Sequence, residues 1–146
     1  MSVQQYTNYT NFPFVLYGNP AVKEAETFEQ DAGRSGALAK YTLLAYDSAN
    51  AKWQVFKDET ATDGTQYPKG ILMASLTEAE IKAGDVDNVP VLVANAHFDK
   101  NQLVIEATKT LATVINVPAG ANTTVEDELI KIGLVPEDTR EIDAFA

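Results

Sequence analysis

Hydrophobic and polar positions divide the chain into short strand-like runs separated by polar turns. Residues 53–73 show the pattern most clearly. They begin with a short strand at 53–56, pass through a polar segment, and resume as an apolar run after Gly70. Asp63-Gly64 predicts a tight turn between the two strands, because glycine accepts a positive φ without steric cost.

The same pattern predicts further strands on both sides of this stretch. Residues 37–46 should pair with 53–56 as a hairpin across a turn at 47–50. Residues 89–97 are rich in β-branched side chains, which is typical of a buried strand. The remaining predictions are turns at 85–88 and 99–101, and short strands at 102–105 and 113–117.

Two short helices are expected from local capping signals. Thr77 and Glu80 have the spacing of a capping box, and Gly84 would end that helix after about two turns. Thr124 is expected to cap a helix at 125–132, and Gly133 would follow it. The strands and helices together predict a strand-rich α+β fold: a small mixed β domain with one or two short helices and an extended N-terminal arm.

Residues 1–22 differ from the rest of the chain, because they contain no Asp, Glu, Lys or Arg. Pro13 and Pro20 disfavour a regular helix or a central strand. The segment is a first strand laid on the domain, a frayed terminus, or an extended arm that docks on another protein. Its five aromatic residues are the candidate attachment residues: Tyr6, Tyr9, Phe12, Phe14 and Tyr17.

An energy comparison favours the arm. Burying five aromatic side chains contributes roughly 7–15 kcal/mol, whereas ordering the backbone of the segment costs roughly 20–40 kcal/mol. We therefore predict an arm at residues 1–22 that is disordered when free and ordered when bound, ahead of a single domain at residues 23–146. Within that domain, residues 23–36 are expected to be a linker or hairpin lead-in, and residues 136–146 an acidic tail.

Composition excludes several partner classes. The formal net charge is −10, with 21 acidic against 11 basic residues, so neither nucleic acid nor an anionic membrane surface is an expected partner. The chain has no cysteine, which excludes a disulfide framework and a thiolate metal site. No apolar run approaches the length of a transmembrane helix, and no signal peptide is expected at the N-terminus.

Candidate chemistry is sparse. His97 is the single histidine, and we expect a turn or rim residue there rather than a catalytic base. Asp85, Asp87 and Asn88 lack the spacing of a calcium loop. No phosphate-binding glycine loop occurs. The sequence therefore predicts no catalytic residue, no metal site and no cofactor, although two of the acidic residues could meet as a hydrolytic pair.

The central stretch resembles the head-decoration proteins of tailed bacteriophages, the family that includes the phage lambda decoration protein. Members show an aromatic strand, a Thr-Asp-Gly turn and a Gly-Ile-Leu strand. A Val-Leu-Val strand at 91–93 and an Asn-x-Leu segment at 101–103 also match, so that the resemblance spans residues 37–105. The residues that carry the turn motif are Trp53, Thr62, Asp63, Gly64 and Gly70.

This resemblance implies a structural protein rather than an enzyme. It implies a homotrimer that sits on the outer surface of the expanded phage head, binds the major capsid protein and cements adjacent coat subunits against internal DNA pressure. Its N-terminal arm would be mobile when free and would pair with coat protein when bound. The protein would be made in the host cytoplasm and end in the virion.

Two other functions stay open. One is a carbohydrate- or receptor-binding β domain of a phage or bacterial surface, suggested by the aromatic and Asn content of residues 6–17, because aromatic faces suit sugar rings. The other is a small hydrolase that uses an acid pair.

Overall fold

The computed structural model describes residues 13–139. Along the chain, four strands precede the first short helix, three lie between the two helices, and one follows the second helix. The predicted strand-rich α+β class is confirmed. The elements in chain order are β1 (Val15–Phe28), β2 (Leu43–Asp47), β3 (Lys52–Val55), β4 (Gly70–Leu72), α1 (Glu78–Ala83), β5 (Val86–Asp99), β6 (Val114–Ile115), β7 (Thr123–Thr124), α2 (Val125–Lys131) and β8 (Leu134–Glu137).

One main sheet organises the domain, with the strand order β1-β3-β2-β4-β5-β8. Strand β1 also pairs with β5, so the first five strands of that order form a closed circuit, and β8 lies outside it. Strand β8 runs parallel to β5, with Ala96 opposite Leu134 and Asp99 opposite Glu137. A separate two-stranded ribbon joins β6 and β7.

Each face of the sheet has its own hydrophobic core, because successive strand residues point to opposite faces. Leu43 and Ile71 pack in one cluster with Phe98 and Leu129, a residue of α2. Their neighbours, Leu44 and Leu72, pack in the other cluster with Trp53 and with Ile81 of α1. The alternation therefore builds two cores from the same short strands, and each core is closed by one helix.

Both helices begin at the predicted capping residues. The Thr77 hydroxyl accepts from the amide of Glu80 at 3.1 Å, and the Thr77 amide donates to the Glu80 carboxylate at 2.9 Å. Thr124 makes the same reciprocal pair with Asp127. Gly133 follows the second helix with φ of 84°, a left-handed conformation suited to glycine. Gly84 is the C-cap of α1 with extended backbone.

The first strand corrects two predictions. Residues 23–28 belong to β1, so that part of the expected linker is a strand, and β1 crosses residue 22 without interruption. Pairing with β5 explains the difference: Lys23 lies opposite Val91, and Phe28 opposite Val86. The arm boundary predicted at residue 22 therefore falls inside a strand of the domain.

Other predicted elements shift because their pairing partners lie far along the chain. Residues 102–105 form no strand; Val104 makes a single parallel bridge to Thr42. In the turn expected at 85–88, residues 86–88 are instead the start of β5, and Asn88 takes a positive φ of 58°. The strand expected to begin at residue 37 begins at Leu43. Residues 134–137 form β8, so the expected acidic tail starts with a paired strand.

Candidate functional site

Strand β1 is exposed along most of its length. It pairs with β5 from Val15 to Phe28, whereas its other edge meets β3 only at Phe28, opposite Trp53. Within residues 13–139, no other strand pairs with that second edge. The side chains from Tyr17 to Ala25 are exposed, apart from the half-buried Ala21. Apart from Pro20, which has no N–H, and the register shifts along β1, the strand therefore presents backbone groups to which another extended chain could pair.

The first half of this edge also lacks charge. Residues 15–22 contain no ionisable acid or base other than the Tyr17 hydroxyl, whereas charged side chains begin at Lys23. Exposed edge strands usually carry charges, especially lysine, that discourage pairing with another chain. Tyr17 is 55% exposed and Val22 is 37% exposed. The exposed surface of residues 15–22 thus has the composition of a protein-binding strand.

Phe14 does not belong to a free arm. Its side chain is 3% exposed and its ring stacks on Tyr41, with 4.0 Å between ring centroids. The Phe98 ring lies 5.3 Å away on the same side of the core. Phe14 therefore anchors the start of β1, which corrects its prediction as an attachment residue. The other predicted arm residues, Tyr6, Tyr9 and Phe12, lie outside the described residues.

Tyr17 is exposed but held in place by two residues of other strands. Its ring stacks on His97 of β5, and its hydroxyl donates to Glu137 Oε1 of β8 at 2.8 Å. His97 Nδ1 lies 2.8 Å from the same carboxylate oxygen. These hydrogen bonds, that of His97 first, lower the pKa of the Glu137 carboxyl below its ordinary value. The cluster ties three strands together beside the exposed half of β1.

Two residues of the turn motif, Trp53 and Gly70, pack against each other. The Trp53 ring is 4% exposed and lies against Gly70, where an added Cβ would come within 2.9 Å of the ring and 2.6 Å of Val91. Glycine at position 70 is therefore required for this packing. Asp63 closes the turn by accepting from the amide and hydroxyl of Thr65, and these bonds lower its carboxyl pKa.

The other two motif residues complete that turn. Gly64 has φ of 98°, as the Asp-Gly pattern predicts, and its amide donates to the Gln66 side chain at 2.8 Å. Thr62 is exposed at the tip. The five motif residues therefore fall into two groups, the Trp53–Gly70 contact and the turn at 62–64, and Gly64 of the turn lies at the rim of a cleft.

This cleft, which we call the Trp53 cleft, has a volume of about 440 Å³ and is open to solvent. Its walls come from β1, from the β2–β3 hairpin and from the segment after the Asp-Gly turn. Glu26 Oε1 accepts from Trp53 Nε1 at 3.3 Å, which fixes the indole in the floor. Its lining includes Lys23, Glu26, Tyr46, Ser48, Trp53, Gly64, Tyr67 and Lys69.

A second cavity, of about 380 Å³, is lined by Arg34 and Glu106. The two side chains form a bidentate pair with both N–O distances at 2.6 Å, and Arg34 also donates to the carbonyls of Gly36 and Ala37. Because the guanidinium is already engaged on several sides, this pair fastens the 34–37 loop to residue 106.

Sequence reasoning missed Glu137 and the Trp53 cleft. Glu137 was expected in a tail, and its contacts with Tyr17 and His97 span 120 and 40 residues. The cleft combines side chains that no local motif joins. Among residues 13–139, no group of three or more His, Asp or Glu side chains is arranged to hold a metal ion. Neither helix in that range is long and apolar enough to span a membrane.

Comparisons with family models, with curated proteins and with solved structures found no match to this chain.

Proposed function

We propose that the chain is a structural virion protein that binds the outer surface of an expanded phage head and stabilises it. The observation that carries this proposal is strand β1, exposed over most of its length, unpaired along one edge within the described residues and uncharged from Val15 to Val22. The resemblance of the Trp53 hairpin, the Asp-Gly turn and the Gly-Ile-Leu strand to decoration proteins supports the same function.

Attachment would use strand addition. A coat-protein segment that pairs with the free edge of β1 gains main-chain hydrogen bonds, and it covers the exposed side chains of Tyr17 and Val22. Residues 1–12 lie directly ahead of this strand and carry three of the predicted attachment aromatics. The binding surface would therefore continue from β1 into that segment.

Stabilisation follows from linkage. A protein that binds the expanded shell, and not the dissociated subunits, stabilises the shell by RT ln(1 + [L]/Kd) at each site, or about 2.7 kcal/mol at a hundredfold excess over Kd. A homotrimer at a local three-fold position would engage three coat segments at once. Its avidity would then exceed the affinity of a single strand by about 10²–10⁴.

The test mixes the full chain with expanded, undecorated heads of the phage that carries it, and measures occupancy by electron cryomicroscopy. Deletion of residues 1–12 spares Phe14, which is buried in the core. Val22→Lys places a charge on the free edge of β1. Its matched control is Ile130→Lys, which places the same charge on the exposed face of α2, where Ile130 is 47% exposed.

Full occupancy by the parent and by Ile130→Lys, with loss in Val22→Lys, supports attachment through β1. Occupancy that survives both the deletion and Val22→Lys contradicts attachment through this strand. Failure of the parent chain to bind expanded heads overturns the proposed function.

A further inference from the structure

We propose that the Trp53 cleft binds an acidic saccharide, that is, a sugar ring that carries a carboxylate. This site adjoins β1, whose Lys23 and Glu26 line it, but it does not use Tyr17 or Val22 and goes beyond the proposed capsid attachment. A saccharide-binding function was suggested above by residues 6–17. The cleft lies elsewhere, between β1, the β2–β3 hairpin and the Asp-Gly turn, and it draws on different residues.

The size and aromatic walls of the cleft fit a sugar. Its volume of about 440 Å³ lies in the range typical of small-ligand sites. Trp53 forms the floor, and the half-buried rings of Tyr46 and Tyr67 line the sides. The Tyr46 ring is 4.9 Å from the Trp53 ring and tilted by 60°. Aromatic faces carry negative charge density, which attracts the weakly positive C–H groups of a pyranose.

The cleft also holds polar groups that are available for a ligand. Within residues 13–139, the Lys23 ammonium, the Tyr46 hydroxyl and the Ser48 hydroxyl make no hydrogen bond or ion pair. Lysine donates only, whereas both hydroxyls donate and accept. This mixture matches the hydroxyl groups of a sugar, each of which needs both kinds of partner.

Charge favours an acidic sugar over a neutral one. Two lysines, Lys23 and Lys69, line the cleft against one carboxylate, Glu26, although the whole chain carries a net charge of −10. Lys69 lies over the Tyr67 ring, 5.6 Å from its centroid, so its ammonium is positioned at the wall. Glu26 is engaged by the Trp53 indole N–H. The local excess of positive charge therefore selects a carboxylate.

Open space at the rim supports ligand access. An added Cβ at Gly64 would meet no atom within 4 Å. Residues of the Asp-Gly turn thus border the cleft without closing it. The turn motif therefore also shapes the cleft. Gly70 allows the Trp53 ring to pack in the floor, and Gly64 leaves one side of the cleft open.

The site can be tested in the free protein, because Trp53 is the only tryptophan in the chain. Its fluorescence is followed while the full chain is titrated with sodium glucuronate and sodium galacturonate, and separately with the matched neutral sugars glucose and galactose. Sodium chloride at equal ionic strength controls for screening. We expect a saturable change with the acidic sugars and an affinity at least tenfold lower for the neutral sugars.

Variants assign the response to the cleft. Lys69→Gln should remove most of the preference for acidic sugars, and Tyr46→Ala should weaken binding of both classes by at least tenfold. Lys57→Gln removes an exposed lysine outside the cleft and should change nothing. Circular dichroism confirms that each variant is folded, and Ser48→Ala replaces Tyr46→Ala if the latter is not.

A fluorescence change that never saturates, or one that is equal for acidic and neutral sugars, overturns the proposal. The proposal is also overturned if the double variant Lys23→Gln/Lys69→Gln still prefers acidic sugars over neutral sugars. Because no capsid enters the experiment, these outcomes leave capsid attachment untouched.

Discussion

The Tyr17 ring lies on the His97 ring, with 4.2 Å between centroids and 20° between the planes. Both side chains also reach the same oxygen of Glu137. The exposed half of β1 is therefore fixed to β5 and β8 by side chains as well as by its backbone ladder. The Glu137 carboxylate in this contact is half-exposed.

This carboxylate gives the domain a pH-dependent contribution. The pKa of Glu137 is lowered in the folded state by hydrogen bonds from His97 and Tyr17. Its stabilisation is therefore complete above the unfolded pKa of about 4.3 and is lost as pH falls through the lower folded value. In urea denaturation at stepped pH, Glu137→Gln should lower the free energy of unfolding by about 0.5–1 kcal/mol at pH 7. The loss stays small because solvent screens these contacts.

Measurements at acidic pH distinguish an effect of the Glu137 charge from an effect of its packing. The difference between parent and Glu137→Gln should shrink as pH falls through the lowered pKa of the Glu137 carboxyl. The control Glu24→Gln removes an exposed acid from β1 and should run parallel to the parent. A constant gap at every pH would mean that Glu137 acts by packing alone.

Phe14 should behave as a core residue. Phe14→Ala is expected to lower the free energy of unfolding by about 3–5 kcal/mol, because it removes a buried ring stacked on Tyr41. Amide exchange in the first half of β1 should rise with it. Val22→Ala, on the exposed part of the same strand, should cost less than about 0.5 kcal/mol. If the two substitutions lowered the free energy of unfolding equally, Phe14 would not be a core residue.

Gly70 should not tolerate a methyl group. Gly70→Ala forces a Cβ to within 2.6 Å of Val91 Cγ1 and 2.9 Å of the Trp53 ring, and we expect a loss of about 1–3 kcal/mol. The Trp53 emission should shift as the indole moves. Gly84→Ala is the matched control, since a Cβ there meets no atom within 4 Å and φ is extended. Unchanged Trp53 emission in Gly70→Ala would contradict the packing described for the cleft floor.

The Arg34–Glu106 pair should matter more than an exposed pair. The Arg34 side chain is 11% exposed, so Glu106→Ala leaves a largely buried guanidinium with carbonyl partners alone and should cost about 1–3 kcal/mol. Glu78→Ala breaks the exposed pair with Lys82 on α1 and should cost less than about 0.5 kcal/mol. Chemical denaturation of the two variants side by side measures both losses. Equal stability of the two variants would contradict the prediction.

The proposed attachment to capsids should depend weakly on salt. Residues 15–22 carry no Asp, Glu, Lys or Arg, and screening acts on charges. Occupancy on expanded heads should therefore persist at about 1 M NaCl, where the Debye length is about 3 Å. Release of the protein by moderate salt would show that charged residues, and not this strand, carry the attachment.

Features set by neighbouring residues were predictable from the sequence. The two helices were predictable because capping needs only residues three positions apart. The signals were Thr77 with Glu80, and Thr124 ahead of an acidic first turn. The hairpin of β2 and β3 and the Asp63-Gly64 turn follow from equally local patterns.

Features set by distant partners were not predictable. Strand β1 carries charges that suggest a linker, and only its ladder with β5 makes residues 23–28 a strand. Residues 102–105 are apolar enough for a strand but find a single bridging partner. The Trp53 cleft needs Lys23, Tyr46 and Lys69 together, and no spacing along the chain relates these three positions.

The antiparallel ladder between β1 and β5 also determines how the domain would carry mechanical load. Val15 lies opposite Phe98, near the C-terminal end of β5, and Phe28 lies opposite Val86 at its start. A pull on the N-terminal end along the strand axis would load this ladder in shear rather than open it one bond at a time, and the buried Phe14 ring would resist the first displacement. If the protein has the proposed function, a shell under internal pressure would thus load this ladder in shear.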